Sequence, residues 1–134
     1  MYDNENLAKL FLRLSIGGLM LPHGIAKLSS GTAGIANMLE QFGLPGFIAY
    51  GAIVGEVLAP VLMIIGVKTR ASALLIAGTM VMSVVLAYRD RLLTLNEYGG
   101  WIVELNMLFL FGSMAIYFLG AGKYAVSKKQ SYLD

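Results

Sequence analysis

The stretch from Gly46 to Arg70, GFIAYGAIVGEVLAPVLMIIGVKTR, constrains this chain more than any other. It is apolar over the ~20 residues that a helix needs to cross a bilayer core, yet it carries one acid, Glu56, near its middle. A charge at the centre of a spanning helix costs about 2.5–3.5 kcal/mol on insertion scales. Glu56 must therefore face protein or a water-filled cavity, or give up its charge. Helical periodicity supports an inward face, because Ala49, Ala52, Ile53, Ala59, Pro60 and Met63 share the side of Glu56 while Val54, Val57, Leu58, Val61 and Ile65 cover the rest. Pro60 adds a second polar demand at the same level. It has no N–H to give to the carbonyl of residue 56, which must find another partner.

The composition agrees. Of 134 residues, 57% are hydrophobic and 13% charged, too little polar surface for a water-soluble domain of this size. A net charge of +2, with aromatic residues in apolar runs rather than among basic ones, excludes a nucleic-acid-binding surface. The absence of cysteine removes disulfides, thiolate metal ligands and a thiol electron relay within the chain. With one histidine, His23, a metal site would need carboxylates to converge on it, so no metal is expected. The N-terminus lacks a basic region followed by a small-residue cleavage site, and the first apolar run is expected to be retained.

Four runs have spanning length: residues 7–28, 47–66, 71–88 and 100–119. The expected fold is an all-α, integral-membrane, four-helix up-down bundle forming one domain over residues 1–134. Between the first two spans, Ile35, Met38, Leu39 and Phe42 follow helical spacing, with Thr32 as a candidate N-cap and Gly43 as a stop. This segment reads as a short amphipathic helix at the membrane surface. Tyr50, Tyr88, Tyr98, Trp101 and Tyr124 fall near span ends, as in an interfacial aromatic belt. Lys9, Lys68, Arg70, Lys123, Lys128 and Lys129 lie on one side, against Lys27, Arg89 and Arg91 on the other. That excess places both termini in the cytoplasm.

Five ionisable residues inside these spans are candidates for ligand binding or proton relay: Glu56, Arg13, His23, Glu104 and Lys27. At ~1.5 Å per residue, Arg13 sits roughly 8 Å above the cytoplasmic edge, Glu56 about 15 Å, and His23 and Glu104 somewhat above 20 Å. Two pairings are open, Arg13 with Glu56, or Glu104 with His23 and Lys27. Each can be read as architecture, in which opposite charges hold the helices in register, or as a polar pocket or proton path.

Several spaced motifs carry a resemblance. Arg13, HGIAK at His23–Lys27, GLPG at Gly43–Gly46, GEVLAPVLMIIGVKTR at Gly55–Arg70, Glu104 and GAGKY at Gly120–Tyr124 together resemble the DoxX family of small bacterial four-helix membrane proteins. The tail departs from the family's GPGxYSxD ending, with Ala121 in place of its proline and Lys128 where an acid is expected. The resemblance implies a bacterial inner-membrane location and an association with membrane redox systems. Among these are a thiosulfate:quinone oxidoreductase subunit of similar fold and complexes that join a membrane subunit to soluble detoxifying enzymes. It assigns no catalytic residue.

The leading expectation is a redox-associated subunit that binds a quinone-like or other small amphipathic molecule, or relays protons during its reduction. Arg13, His23 and Lys27 supply donors for quinone carbonyls beside carboxyls able to exchange protons. The chain holds no cofactor motif and no self-sufficient catalytic motif, so electrons must come from a soluble or membrane oxidoreductase partner or a bound cofactor such as quinone. The alternative is a non-catalytic scaffold whose basic cytoplasmic face, ending in Lys128 and Lys129, docks soluble partners. A small transporter is a third reading, and it would need chains to associate as a homo-oligomer.

Overall fold

Apolar periodicity, glycine stops and prolines divide the chain into five helices in a computed structural model, which describes residues 2–127 and 132–134. They are α1 (Tyr2–Ser30), α2 (Ala33–Gln41), α3 (Gly46–Ile65), α4 (Thr69–Tyr88) and α5 (Glu104–Leu119). The described residues contain no strand, only an isolated bridge between Leu95 and Trp101. By length and composition α3 and α4 can each cross a membrane, while α5 is a shorter apolar helix. Lys128 and Lys129, the expected end of a basic docking face, lie outside the described residues.

The expected boundaries move in two places. α1 begins at Tyr2 rather than near residue 7 and runs unbroken past Pro22. The fourth helix starts at Glu104, because residues 92–103 form a tight connection organised by Asn96 instead of extending the helix. The Asn96 side-chain oxygen accepts from the backbone N–H groups of Tyr98 and Gly100, and the Trp101 indole donates to the Leu92 carbonyl. An asparagine that satisfies local backbone donors favours a turn over a helix. α2 matches the expected amphipathic segment, although the Thr32 side chain makes no capping bond. It buries Leu39, and the Arg89 guanidinium lies over the Phe42 ring at 4.9 Å, pinning its end to the end of α4.

α4 packs along α5, and α1 packs on α3 and α5. The core is where these four helices meet: Met20 from α1, Ala59 and Met63 from α3, Ile76 and Met80 from α4, and Phe109 from α5. Alanines let the backbones close up and methionines fill the irregular gaps. The outside is apolar as well. Phe11, Leu108, Phe111 and Phe118 are between 65% and 71% exposed, an outer surface suited to lipid rather than water.

The end of α3 shows how sequence sets geometry. Gly66 adopts φ +78°, and the N–H groups of Val67 and Gly66 return to the carbonyls of Leu62 and Met63, the double bond pattern of a Schellman stop. A Cβ at Gly66 would lie 2.6 Å from Arg13 Nη2 and from the Ala125 methyl, so glycine is required for space as well as torsion. Beyond α5 the tail doubles back over this point. Val126 and Ser127 donate their N–H groups to the carbonyls of Ile65 and Gly66. The Leu133 carbonyl accepts from Arg70 and Ala71, and the Asp134 carboxylate accepts from the Lys68 N–H, so the tail caps the start of α4.

Candidate functional site

The site is built on an irregular turn of α3. Over Val54–Leu58 the helix widens to π geometry, and the Ala59 N–H donates five residues back to the Val54 carbonyl. Pro60 lies just beyond the bulge and cannot supply the N–H that an α-helix would bring to the Glu56 carbonyl. Single-turn π-bulges occur often at functional sites. Here Glu56 sits inside the bulge, 2% exposed.

Gly24 of α1 seats the opposing helix on that bulge. A Cβ at Gly24 would fall 2.2 Å from the Glu56 carbonyl oxygen and 2.6 Å from Val57 Cγ2, so only glycine permits the approach. One turn further along α1, Lys27 reaches Glu56, its ammonium donating to Oε1 at 2.5 Å. Lys27 is 32% exposed, and its ammonium has donors to spare. The second Glu56 oxygen, Oε2, is buried and has no hydrogen-bond partner among the described residues.

This ion pair forms part of the wall of a cavity of about 190 Å³. Its other polar walls are His23, Ser83, Tyr88 and Asn106, and its apolar walls are Met20, Met80, Leu105 and Phe109. Asn106 donates to Ser83 at 3.2 Å, tying α5 to α4, and the His23 ring meets Phe109 edge to face at 6.0 Å. Residues from α1, α3, α4 and α5 thus converge on one half-polar, half-apolar chamber.

Of the five sequence candidates, the structure brings together Glu56, Lys27 and His23. The observed pair, Lys27 with Glu56, is neither of the two pairings the heights suggested. Arg13 lies apart, 1% exposed, and donates from Nε to the Met63 carbonyl (2.9 Å), from Nη2 to Ile64 (2.9 Å) and from Nη1 to Ala121 (2.6 Å). It clasps the end of α3 and the tail. Glu104 is exposed in the first turn of α5, folded over Gly100, and makes no ion pair among the described residues. That position suits a carboxylate at a helix N-terminus.

The reading from sequence missed Ser83, Tyr88 and Asn106 as cavity residues. The signal existed for two of them, since Ser83 and Asn106 are polar residues within otherwise apolar runs. Arg13 could also have been placed, because the end of a helix leaves carbonyls without intrahelical partners and these sit at its level.

The family model for DoxX matches residues 8–89, more than half of the chain. The matched segment contains Arg13, His23, Gly24, Lys27, Glu56 and Pro60, but neither α5 nor the tail. No curated protein and no solved structure matches the chain.

Proposed function

The chain belongs to the DoxX family and is a membrane protein, and from that premise we propose that it is a redox-associated subunit whose cavity receives a quinone-like or other small amphipathic molecule. In this reading α1, α3, α4 and α5 cross the bacterial inner membrane as a four-helix up-down bundle with both termini cytoplasmic, and α2 lies at the surface. The observation that carries it is the Glu56 carboxylate, buried beside a cavity with one oxygen paired and the other unmet. An acid inside a membrane helix bundle is costly to keep, and such residues commonly line ligand or proton pathways.

The residues fit such a ligand. Lys27 and His23 would donate to a ring carbonyl, the unmet Glu56 oxygen would accept from a ring hydroxyl, and Met20, Met80 and Phe109 would pack on the ring. When bound, a quinone would supply two-electron, two-proton exchange chemistry. Within the chain, Lys27 fixes the Glu56 carboxylate, and Asn106 and Ser83 hold α4 and α5 together beside it. Electrons would come from an oxidoreductase partner.

Native mass spectrometry of the protein released from its own membrane tests this. A small ligand should accompany the parent chain and fall at least about tenfold in occupancy in Glu56→Gln, the loss of one hydrogen bond to a charged group. Equal occupancy in both, or no ligand in either, would overturn the reading.

A further inference from the structure

Resting on that reading of the cavity, we infer that the Lys27–Glu56 pair selects a neutral single-ring molecule bearing a hydroxyl, a phenol or the hydroquinone form of a quinone, over ring compounds that can only accept hydrogen bonds. The argument starts from what each partner lacks. Glu56 Oε2 needs a donor. The Lys27 ammonium, with one N–H given to Oε1, offers further donors and needs an acceptor. A hydroxyl meets both needs at once, giving its hydrogen to the carboxylate and taking one from the ammonium. A carbonyl or an ether can satisfy the lysine alone, and the buried carboxylate oxygen then stays without a donor, at a cost.

Charge and size narrow the class further. Because Lys27 already neutralises Glu56, a second cation gains little and a second anion meets the carboxylate, so the ligand is neutral. An engineered apolar cavity of roughly 150 Å³ accepts benzene. A chamber of about 190 Å³ therefore holds one substituted ring. Its apolar walls suit an aromatic body, since Met20, Met80 and Phe109 line it.

The test is the affinity of the intact protein in lipid nanodiscs for three probes, measured by titration calorimetry: phenol, its methyl ether anisole, and a short-tailed hydroquinone. Phenol and anisole differ in the one hydrogen at issue. The parent should bind phenol about tenfold or more tightly than anisole, as one hydrogen bond to a charged acceptor predicts. In Glu56→Gln, whose amide can also donate, the preference should shrink below about threefold. A tailed hydroquinone binding more tightly than phenol would place the source among membrane quinols, and equal binding would place it among free phenols; either result upholds the hydroxyl rule. Equal affinity of the parent for phenol and anisole would overturn the inference and leave the proposed function standing. Failure of all three probes to bind would overturn both.

Discussion

Arg13 and Glu56 are buried to nearly the same degree, 1% and 2% exposed, in the same set of helices, yet they are finished in opposite ways. Every nitrogen of the Arg13 guanidinium donates to a backbone carbonyl, and the residue closes the junction of α1, the end of α3 and the tail. Glu56 satisfies one oxygen with Lys27 and leaves the other unmet beside a chamber. About fourteen positions of α1 separate the two centres, roughly 20 Å at the helical rise. The difference teaches that burial of a charge in a membrane helix does not by itself mark function. What distinguishes the two is whether every polar atom of the group has a partner in the surrounding structure.

The strongest way to break this comparison is Arg13→Ala. The substitution strips the Ile64 and Ala121 carbonyls of their side-chain donor and halves the bonding of Met63, whose carbonyl keeps the Gly66 N–H. At about 1–3 kcal/mol for each buried group left unmet, the loss should be roughly 2–6 kcal/mol, read by denaturant unfolding in mild detergent. Arg13→Lys should recover only part, because an ammonium cannot reproduce the planar fork. If Arg13→Ala is as stable as the parent, the junction is not held as described.

Gly24→Ala sharpens the other side. Its methyl would press on the Glu56 carbonyl, so α1 must back away from the bulge. Overpacking of this kind costs about 1–3 kcal/mol, and ligand occupancy should fall with it. Unchanged melting and unchanged occupancy would mean that the seating of α1 on the π turn is unimportant. The smallest effect is expected from Ser83→Ala, which removes the acceptor of the Asn106 bond across α4 and α5. Hydrogen bonds between membrane helices average about 0.6 kcal/mol, so its melting temperature should barely move. A large destabilisation there would show that this pair, and not the Arg13 clasp, is the main fastening.

Much of this was legible in the sequence, and the exceptions have physical reasons. Glu56 and Pro60, four residues apart in an apolar run, identified the level of α3 that carries a double polar demand, and the π turn, which they did not announce, lies there. The pairing partner was not legible, because helix heights give the axial position of a side chain but not its reach or its rotation about the axis. Lys27 extends back along α1 toward Glu56, in the direction that helical side chains lean, while Arg13 takes the carbonyls at the end of α3. Glu104 looked intramembrane only because the run around it is apolar as far as Gly100 and Trp101. The Asn96 turn, a matter of local backbone bonding, cuts the helix short and leaves the acid at its exposed start. The tail was illegible for a similar reason, since apart from the Asp134 carboxylate its bonds to Ile65, Gly66 and the start of α4 use main-chain groups that no side-chain pattern announces.

The reach of the Arg13 clasp has a consequence for how the molecule is made. One acceptor, the Ala121 carbonyl, lies 108 residues downstream of the arginine. At a ribosomal pace of 5–20 residues per second, about 5–20 s pass between the synthesis of the cation and that of its last acceptor. Until the tail is made, the chain can offer the guanidinium at most the Met63 and Ile64 carbonyls, and its third partner is among the last groups to be synthesised.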